Sequence, residues 1–366
     1  MKSARSVRIF TGISIATLAI SAISALAFGT VSASITKIDA FAGIDKRPDK
    51  KSSAINYLLV GSDTREGLTK AELKELRVGS VATAAGKRSD TMLLVHISKA
   101  RDKAVLVSIP RDTFALIPAH LNKAGKTIPA VHSKINSAFN WGGAPLLIQT
   151  IEEMTQLKID HYVEVNFAGF ASVIDSLGGI EVCTKKDIDD PKSHLVLPAG
   201  VHTLNGIEAL KYVRTREFDG MGDIGRMQRQ QAFMSSVLKK ATSAGVLLNP
   251  ITMTSFINSS LAAVTTDEGL KNSDLITLAK QMKSLATSNV RTLTVPLSDL
   301  NYYSNGVTAS VLWDPVLAPE LWDRLREDRA VVDEVTASPS PSSTKAAKVE
   351  IVDKFKTRTA DDNICR

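Results

Sequence analysis

Short apolar runs of strand length, set between amphipathic stretches of helical period, predict an α/β fold built on a central sheet. Three observations carry that expectation. The runs at residues 54–60, 91–98 and 103–109 are each as long as a buried strand. Residues 167–177 place Phe167, Phe170, Val173, Ile174 and Leu177 at helical spacing. With 44% hydrophobic and 23% charged residues, the 366-residue chain can bury one large core or two modest ones.

At the amino terminus, residues 9–33 hold no charge, and at about 1.5 Å per residue they are long enough to cross a hydrocarbon core of roughly 30 Å. Lys2, Arg5 and Arg8 precede them, so the positive-inside rule leaves residues 1–8 in the cytoplasm and sends the rest outside. A cleaved signal peptide ending near Val31-Ser32-Ala33 is the alternative, and either one exports the domain. Residues 34–53 are polar and lysine-bearing and read as a stalk. With Lys2, Arg5 and Arg8 taken from the formal charge of +7, only +4 remains for the exported part. A sequence pI near 9.2 alone would permit nucleic-acid binding, but the chain lacks zinc-finger and aromatic RNP patterns, so no nucleic-acid partner is expected.

The first strand, 54–60, ends at Gly61 and delivers Ser62, Asp63 and Arg65 into a loop. A polar insertion, helical or irregular, fills 66–87. Arg88-Ser89-Asp90 opens the second strand, and the third ends in Pro110-Arg111-Asp112-Thr113. Residues 133–141 lead through Gly142-Gly143 to a helix at 145–154, with Lys134 and Asn136 as polar site candidates. A strand at 162–166, the helix at 167–177 stopped by Gly178-Gly179, and a strand at 180–183 follow. Asp187, Asp189 and Asp190 read as a solvated turn, and 200–206 as a loop before a short helix from about residue 207. If 212–216 is extended, Arg214 and Arg216 point to one face, suited to gripping a diphosphate. Asp223 then caps a helix to about residue 240, with Arg226 and Gln230 on one face. Arg229 stays outside that set, because the 3.6-residue period does not bring it to a shared face. Helices at 253–261 and 274–285, a strand at 290–296 that closes the sheet, a strand at 310–317 and a helix at 319–329 complete the domain, 54–335. A Ser/Pro linker at 337–343 and a tail occupy the remainder, 336–366.

Acid and arginine thus meet at three successive strand termini, as Asp63 with Arg65, Arg88 with Asp90, and Arg111 with Asp112. Singly, such pairs are loop salt bridges; together with Arg214 and Arg216 they describe a site for a hard cation and phosphates. Asp63 and Asp90 supply oxygen ligands for the metal, and Asp90 or Asp112 a proton acceptor. Phosphate loops, dinucleotide fingerprints, zinc-protease helices and serine-hydrolase elbows are absent from the sequence, and its six histidines show no metal-ligand spacing. The two cysteines, Cys183 and Cys365, are compatible with one disulfide in an exported chain or with two free thiols.

The blocks GSDTR, RSDTMLLV, VSIPRDT, KINSAF, VIDSLGGIEV, LNGIEALKYVRTR and GDIGRMQRQQ, in that order across residues 56–240, resemble the LytR-CpsA-Psr family of bacterial envelope proteins. The resemblance implies a three-layer α/β/α sandwich with a central mixed sheet, preceded by one transmembrane helix. It implies a single-pass protein of the cell membrane whose catalytic domain faces outward. Its activity would be phosphotransfer of a glycopolymer from a polyprenyl-diphosphate carrier onto peptidoglycan, through a phosphodiester bond, with Mg2+ or Mn2+ assisting. Asp63 and Asp90 would then bind the metal, while Arg88, Arg111, Arg214, Arg216 and Gln230 surround the diphosphate with Arg226 close by. The helix at 167–177 becomes a candidate wall for the prenyl tail. Hydrolysis of the same diphosphate, noncatalytic binding of the lipid or wall polymer, and a regulatory role are the competing readings.

Overall fold

The computed structural model describes residues 35–65, 67–76, 89–122, 124–216, 222–241, 243, 249–271, 273–274, 287–336 and 349–359. From the amino-terminal side the chain runs through β1 (Thr36–Ile38), β2 (Ile55–Ser62), α1 (Lys70–Leu76), β3 (Ser89–Ile97) and β4 (Ala104–Ile109). Four short strands, β5 (Phe114–Ile117), β6 (His120–Leu121), β7 (Thr127–Ile128) and β8 (Val131–Lys134), lead into α2 (Asn136–Thr155). Next come β9 (His161–Val165), α3 (Phe167–Ser176), β10 (Ile180–Thr184), β11 (Ile188–Asp190), β12 (Leu195–Leu197), β13 (Gly200–Leu204), α4 (Gly206–Arg214) and α5 (Gly222–Ala241). The remaining elements are α6 (Pro250–Ala262), β14 (Val264–Asp267), β15 (Val290–Thr294), β16 (Leu297–Ser304), β17 (Val307–Trp313), α7 (Leu317–Arg326), β18 (Asp333–Thr336), β19 (Val349–Val352) and β20 (Arg358–Thr359).

Eight strands form a mixed sheet in the order β1-β14-β9-β2-β3-β4-β15-β20. The two-residue period sorts the side chains of β2, β3 and β4 between its faces. Leu58, Val60, Met92, Leu94, Val107 and Ile109 join Leu147, Ile148 and Ile151 of α2 and Leu321, Trp322 and Leu325 of α7 in the main core. Tyr57 and Ile97 point the other way and cluster with Leu270, flanked by Ile55, Leu59 and Val163. Burial on both faces is why these strands read as almost unbroken apolar runs. A second cluster beside the sheet joins Ile174 and Leu177 of the α3 region to Val182 of β10, Ala209 and Tyr212 of α4 and Phe233 of α5.

Several expectations need correction. Of the expected stalk at 34–53, residues 35–53 are part of the fold: β1 pairs parallel with β14, Ala40 is fully buried, and Arg47 reaches the buried Glu152 at 2.7 Å. Its lysines hid the apolar Ile38, Phe41 and Ile44, which pack against the main core. Residues 212–214 are helical, not extended. The Asn205 side chain accepts from Glu208 N and Glu208 reaches back to Asn205 N, a capping box that starts α4 and carries it through Arg214. The expected loop at 200–206 contains β13, antiparallel to β10. The expected solvated turn is β11, paired with β12, and Asp190 is buried. The helix expected from residue 145 instead begins at Asn136 and kinks at Gly143, whose φ of 65° suits glycine, two residues before Pro145. The tail contributes β19, paired with β18, and β20, which adds the last strand of the sheet beside β15.

Residues 9–33, the linker at 337–343 and most of the helix expected at 274–285 lie outside the described residues. Among those described, no helix is long and apolar enough to cross a membrane.

Candidate active site

The register of the sheet brings the acid-arginine termini to one end. β2 runs antiparallel to β3, with Gly61 opposite Thr91 and Ser62 opposite Ser89 across an irregular step at Asp90, so Asp63 follows the end of β2 where Ser89 and Asp90 open β3. β3 is antiparallel to β4, with Met92 opposite Ile109, which sets Arg111 and Asp112 at the same end. β9 is parallel to β2, with Val165 beside Gly61, and β15 is parallel to β4, with Thr294 beside Ser108. Convergence of loops at the ends of parallel neighbours is where ligands of open α/β sheets commonly bind.

The Arg111 loop is fixed from several sides. Thr113 Oγ1 donates to the Pro110 carbonyl at 2.7 Å and accepts from Trp313 Nε1 at 3.2 Å. The Arg111 carbonyl accepts from Asn136 N, and Ile135 N donates to Thr113 O. Asp112 lies between cations, with Arg111 Nε at 3.5 Å and Lys134 Nζ at 3.3 Å. Lys134 and Asn136 therefore share the Arg111 loop, Asn136 through its backbone.

Arg214 closes α4, and its guanidinium lies 5.2 Å from the centroid of Phe167, the first residue of α3. Since β9 leads through Asn166 into α3, this carries Arg214 toward the sheet end where Gly61 and Val165 pair. Asn166 caps α3 by accepting from Gly169 N at 2.7 Å. Close contact of α3 and α4 depends on Gly206, because a Cβ there would collide with the Ala171 backbone.

Between Arg214 and Arg216 the chain is extended at Thr215, with φ −60° and ψ 143°. Arg229, buried on α5, donates Nη2 to the Thr215 carbonyl at 2.6 Å. The Arg216 amide donates to Asp190 Oδ2, and that buried carboxylate also accepts from Lys192 N and Ser193 N at 2.8 Å each. Gln230 donates to the Val213 carbonyl at 3.1 Å. Burial raises the Tyr212 phenol above its ordinary range, with the Arg229 charge opposing. Gln231 joins α5 to the sheet by donating to Ser108 Oγ at 3.1 Å and Thr294 Oγ1 at 2.9 Å.

Of the candidates, Asp63, Asp90, Arg111, Lys134, Asn136 and Arg214 are thus associated with one end of the sheet. Gln230 has its amide on the α4 backbone, and Arg226 is buried in α5. Arg88 lies outside the described residues, as does Cys365, the expected partner of Cys183. Asp190 and Arg229 are the positioning groups that sequence reasoning missed. A signal for Arg229 was present, since it shares the arginine-rich stretch, but only its acceptor reveals its role. As for a metal, no cluster of three or more His, Cys, Asp or Glu is poised to hold one among the described residues. Asp63 and Asp90 stand on adjacent strand ends, and carboxylate oxygens are the donor type that Mg2+ takes beside waters and phosphate oxygens.

Together these features define a mixed α/β domain with arginines, a lysine and acidic residues at one end of its sheet. Comparison narrows the class: the model of the LytR_cpsA_psr family matches residues 26–319, and the chain belongs to this family. The probable cell wall biosynthesis protein LcpB of Corynebacterium glutamicum is 36% identical over 75% of this chain and 62% of its own length. The polyisoprenyl-teichoic acid–peptidoglycan teichoic acid transferase TagT of Bacillus subtilis is 35% identical over 54% of this chain and 56% of its own length. The matched region thus spans little more than half of these relatives. In fold, the crystal structure of B. subtilis TagT matches with a TM-score of 0.55 at 27% identity, covering 81% of this chain and 98% of that one. A LytR-Csp2A-Psr enzyme from Actinomyces oris matches with a TM-score of 0.58 at 22% identity, covering 80% and 96%.

Proposed function

We propose that this protein transfers a glycopolymer from a polyprenyl-diphosphate carrier to peptidoglycan, forming a phosphodiester bond at the outer face of the cell membrane. The convergence of Asp63, Asp90, Arg111, Lys134 and Arg214 at one end of the sheet is the observation that carries this reading. Family membership and the teichoic acid transferase activity named for TagT support it. An acceptor hydroxyl oxygen attacks the phosphorus that bears the glycopolymer, and the bond from that phosphorus to the bridging oxygen breaks. Polyprenyl monophosphate leaves with the electron pair. Arg88, Arg111, Arg214 and Arg216 neutralise charge on the phosphoryl oxygens, the largest need of such a reaction. Asp112, at the same end of the sheet and outside the pair assigned to the metal, is the carboxylate assigned to accept the hydroxyl proton. Mg2+ or Mn2+, held through Asp63 and Asp90, supplies further charge neutralisation at the diphosphate when bound. Gln230, on α5, holds the α4 backbone next to Arg214 through the Val213 carbonyl, and Arg226 is buried on the same helix.

The test is reaction of the full chain with a polyprenyl-diphosphate glycopolymer, peptidoglycan and Mg2+. The expected products are polymer joined to peptidoglycan through phosphate, and polyprenyl monophosphate. Polymer phosphate released to water with acceptor present would replace transfer by hydrolysis, and tight donor binding without turnover would replace it by a binding role.

A further inference from the structure

Beyond the sheet end that carries the arginines, a cleft of about 510 Å³ opens between the β6–β7 hairpin, the start of β8 and the first turns of α2, lined by His120, Asn122, Ile128, Val131, Asn140 and Trp141. Its volume lies in the range of small-ligand sites. Along β8, Val131 stands three residues, about 10 Å, from Lys134, which pairs with Asp112. We propose that this cleft binds a neutral saccharide segment of the acceptor glycan. The assignment to the acceptor rests on the transfer reaction proposed above; the choice of a saccharide rests on the lining.

The described lining of the cleft is made of carboxamide, imidazole, aromatic and aliphatic side chains. What it offers is an aromatic face with carboxamides and an imidazole around it, the combination that meets a sugar's apolar C–H face and its hydroxyls. Trp141 is 36% exposed, although a large apolar ring is ordinarily buried. His120 stacks on it, with ring centroids 5.5 Å apart and planes at 12°, which fixes the indole. His120 Nδ1 donates to the Pro118 carbonyl at 2.8 Å, so in the neutral ring Nε2 is left as an acceptor for a hydroxyl. Asn122 Oδ1 is engaged by the amides of Ala124 and Lys126, which orients its Nδ2 as a donor. Gly143 kinks α2 just after Trp141, setting the turns that carry Asn140 and Trp141 apart from the rest of the helix. An isoprenoid chain would gain from the apolar residues but would desolvate His120, Asn122 and Asn140 without replacing their hydrogen bonds.

Calorimetric titration of the full chain with an N-acetylglucosamine tetrasaccharide tests the site, with detergent-dispersed polyprenol as the rival probe. Trp141→Ala should weaken tetrasaccharide binding at least tenfold, and Asn140→Ala, an exposed change, several-fold, while Trp141→Phe retains most of it. Saccharide should change the tryptophan fluorescence of the native protein and not of Trp141→Phe, because Trp313 and Trp322 pack against each other elsewhere. Equal saccharide affinity in the native protein and Trp141→Ala would overturn the proposal, as would binding of polyprenol in place of saccharide. In the transfer assay, Trp141→Ala should raise the KM for the glycan acceptor more than it lowers kcat. An unchanged acceptor KM with transfer intact removes the subsite and leaves the reaction standing. Saccharide binding lost in Trp141→Ala, with no transfer by the native protein, removes the reaction and leaves the site as a saccharide-binding cleft.

Discussion

At the scale of single residues, two arginines separated by one threonine have different anchors. Arg214 ends a helix and lies over Phe167, whereas Arg216 hangs its amide on Asp190. Arg214→Ala removes a donor from the phosphoryl oxygens, and loss of one such donor costs on the order of 10²–10³ in rate. The variant should therefore lose transfer by that factor in the lipid-diphosphate assay while keeping the native Tm; full transfer would exclude Arg214 from the site. Asp190→Ala works through structure instead, leaving the amides of Lys192, Ser193 and Arg216 without their shared acceptor. At roughly 1–3 kcal/mol for a buried group left unsatisfied, its Tm and its transfer rate should fall together in thermal scans run beside the assay. The pairing of acid with arginine at strand termini was legible in sequence because the residue types adjoin. Asp190 was not, because an aspartate among aspartates looks solvated until the chain returns 26 residues later to donate to it.

At the scale of elements, α4 shows how far local signals reach. Asn205 and Glu208 mark its start in the sequence, yet Leu210-Lys211-Tyr212-Val213-Arg214 also suits a strand; in the fold Ala209 and Tyr212, three residues apart, enter one cluster and Leu210 another, as a helix buried on two sides requires. The end of β14 holds the element-scale pH device. Burial pushes the Asp267 carboxyl up, but hydrogen bonds from His161, Tyr162 N and Leu270 N outweigh it and hold the group below the ordinary carboxylate range. A carboxyl depressed in the folded state stabilises the protein above its unfolded value, about 3.9, and that contribution is lost as pH falls through the folded value. Urea unfolding between pH 3 and 6 should show stability declining toward the acid end, with a shallower decline in Asp267→Asn. An identical acid limb in the two proteins would show that β14 carries no such linkage.

At the scale of the whole molecule, the sheet order was illegible. Composition and periodicity find strands one at a time, but β1 meets β14 across more than two hundred residues and β20 meets β15 across more than sixty. No local pattern records such pairings. The lysine-rich approach to the domain was misread for the same reason, and the Arg47–Glu152 pair shows what it contributes. Glu152, buried in α2, accepts from Arg47 Nε at 3.0 Å, Arg47 Nη2 at 2.7 Å and Ile159 N at 2.7 Å. Removing one partner of a buried pair leaves an uncompensated charge, at a cost of about 3–5 kcal/mol, which is a large share of a typical domain's stability. Arg47→Met should lower the urea midpoint accordingly, while Arg47→Met combined with Glu152→Gln should recover much of the loss, since the carboxamide carries no charge and still accepts from Ile159 N. A solvated stalk would make Arg47→Met neutral, so an unchanged midpoint would separate residues 35–53 energetically from the domain they enter.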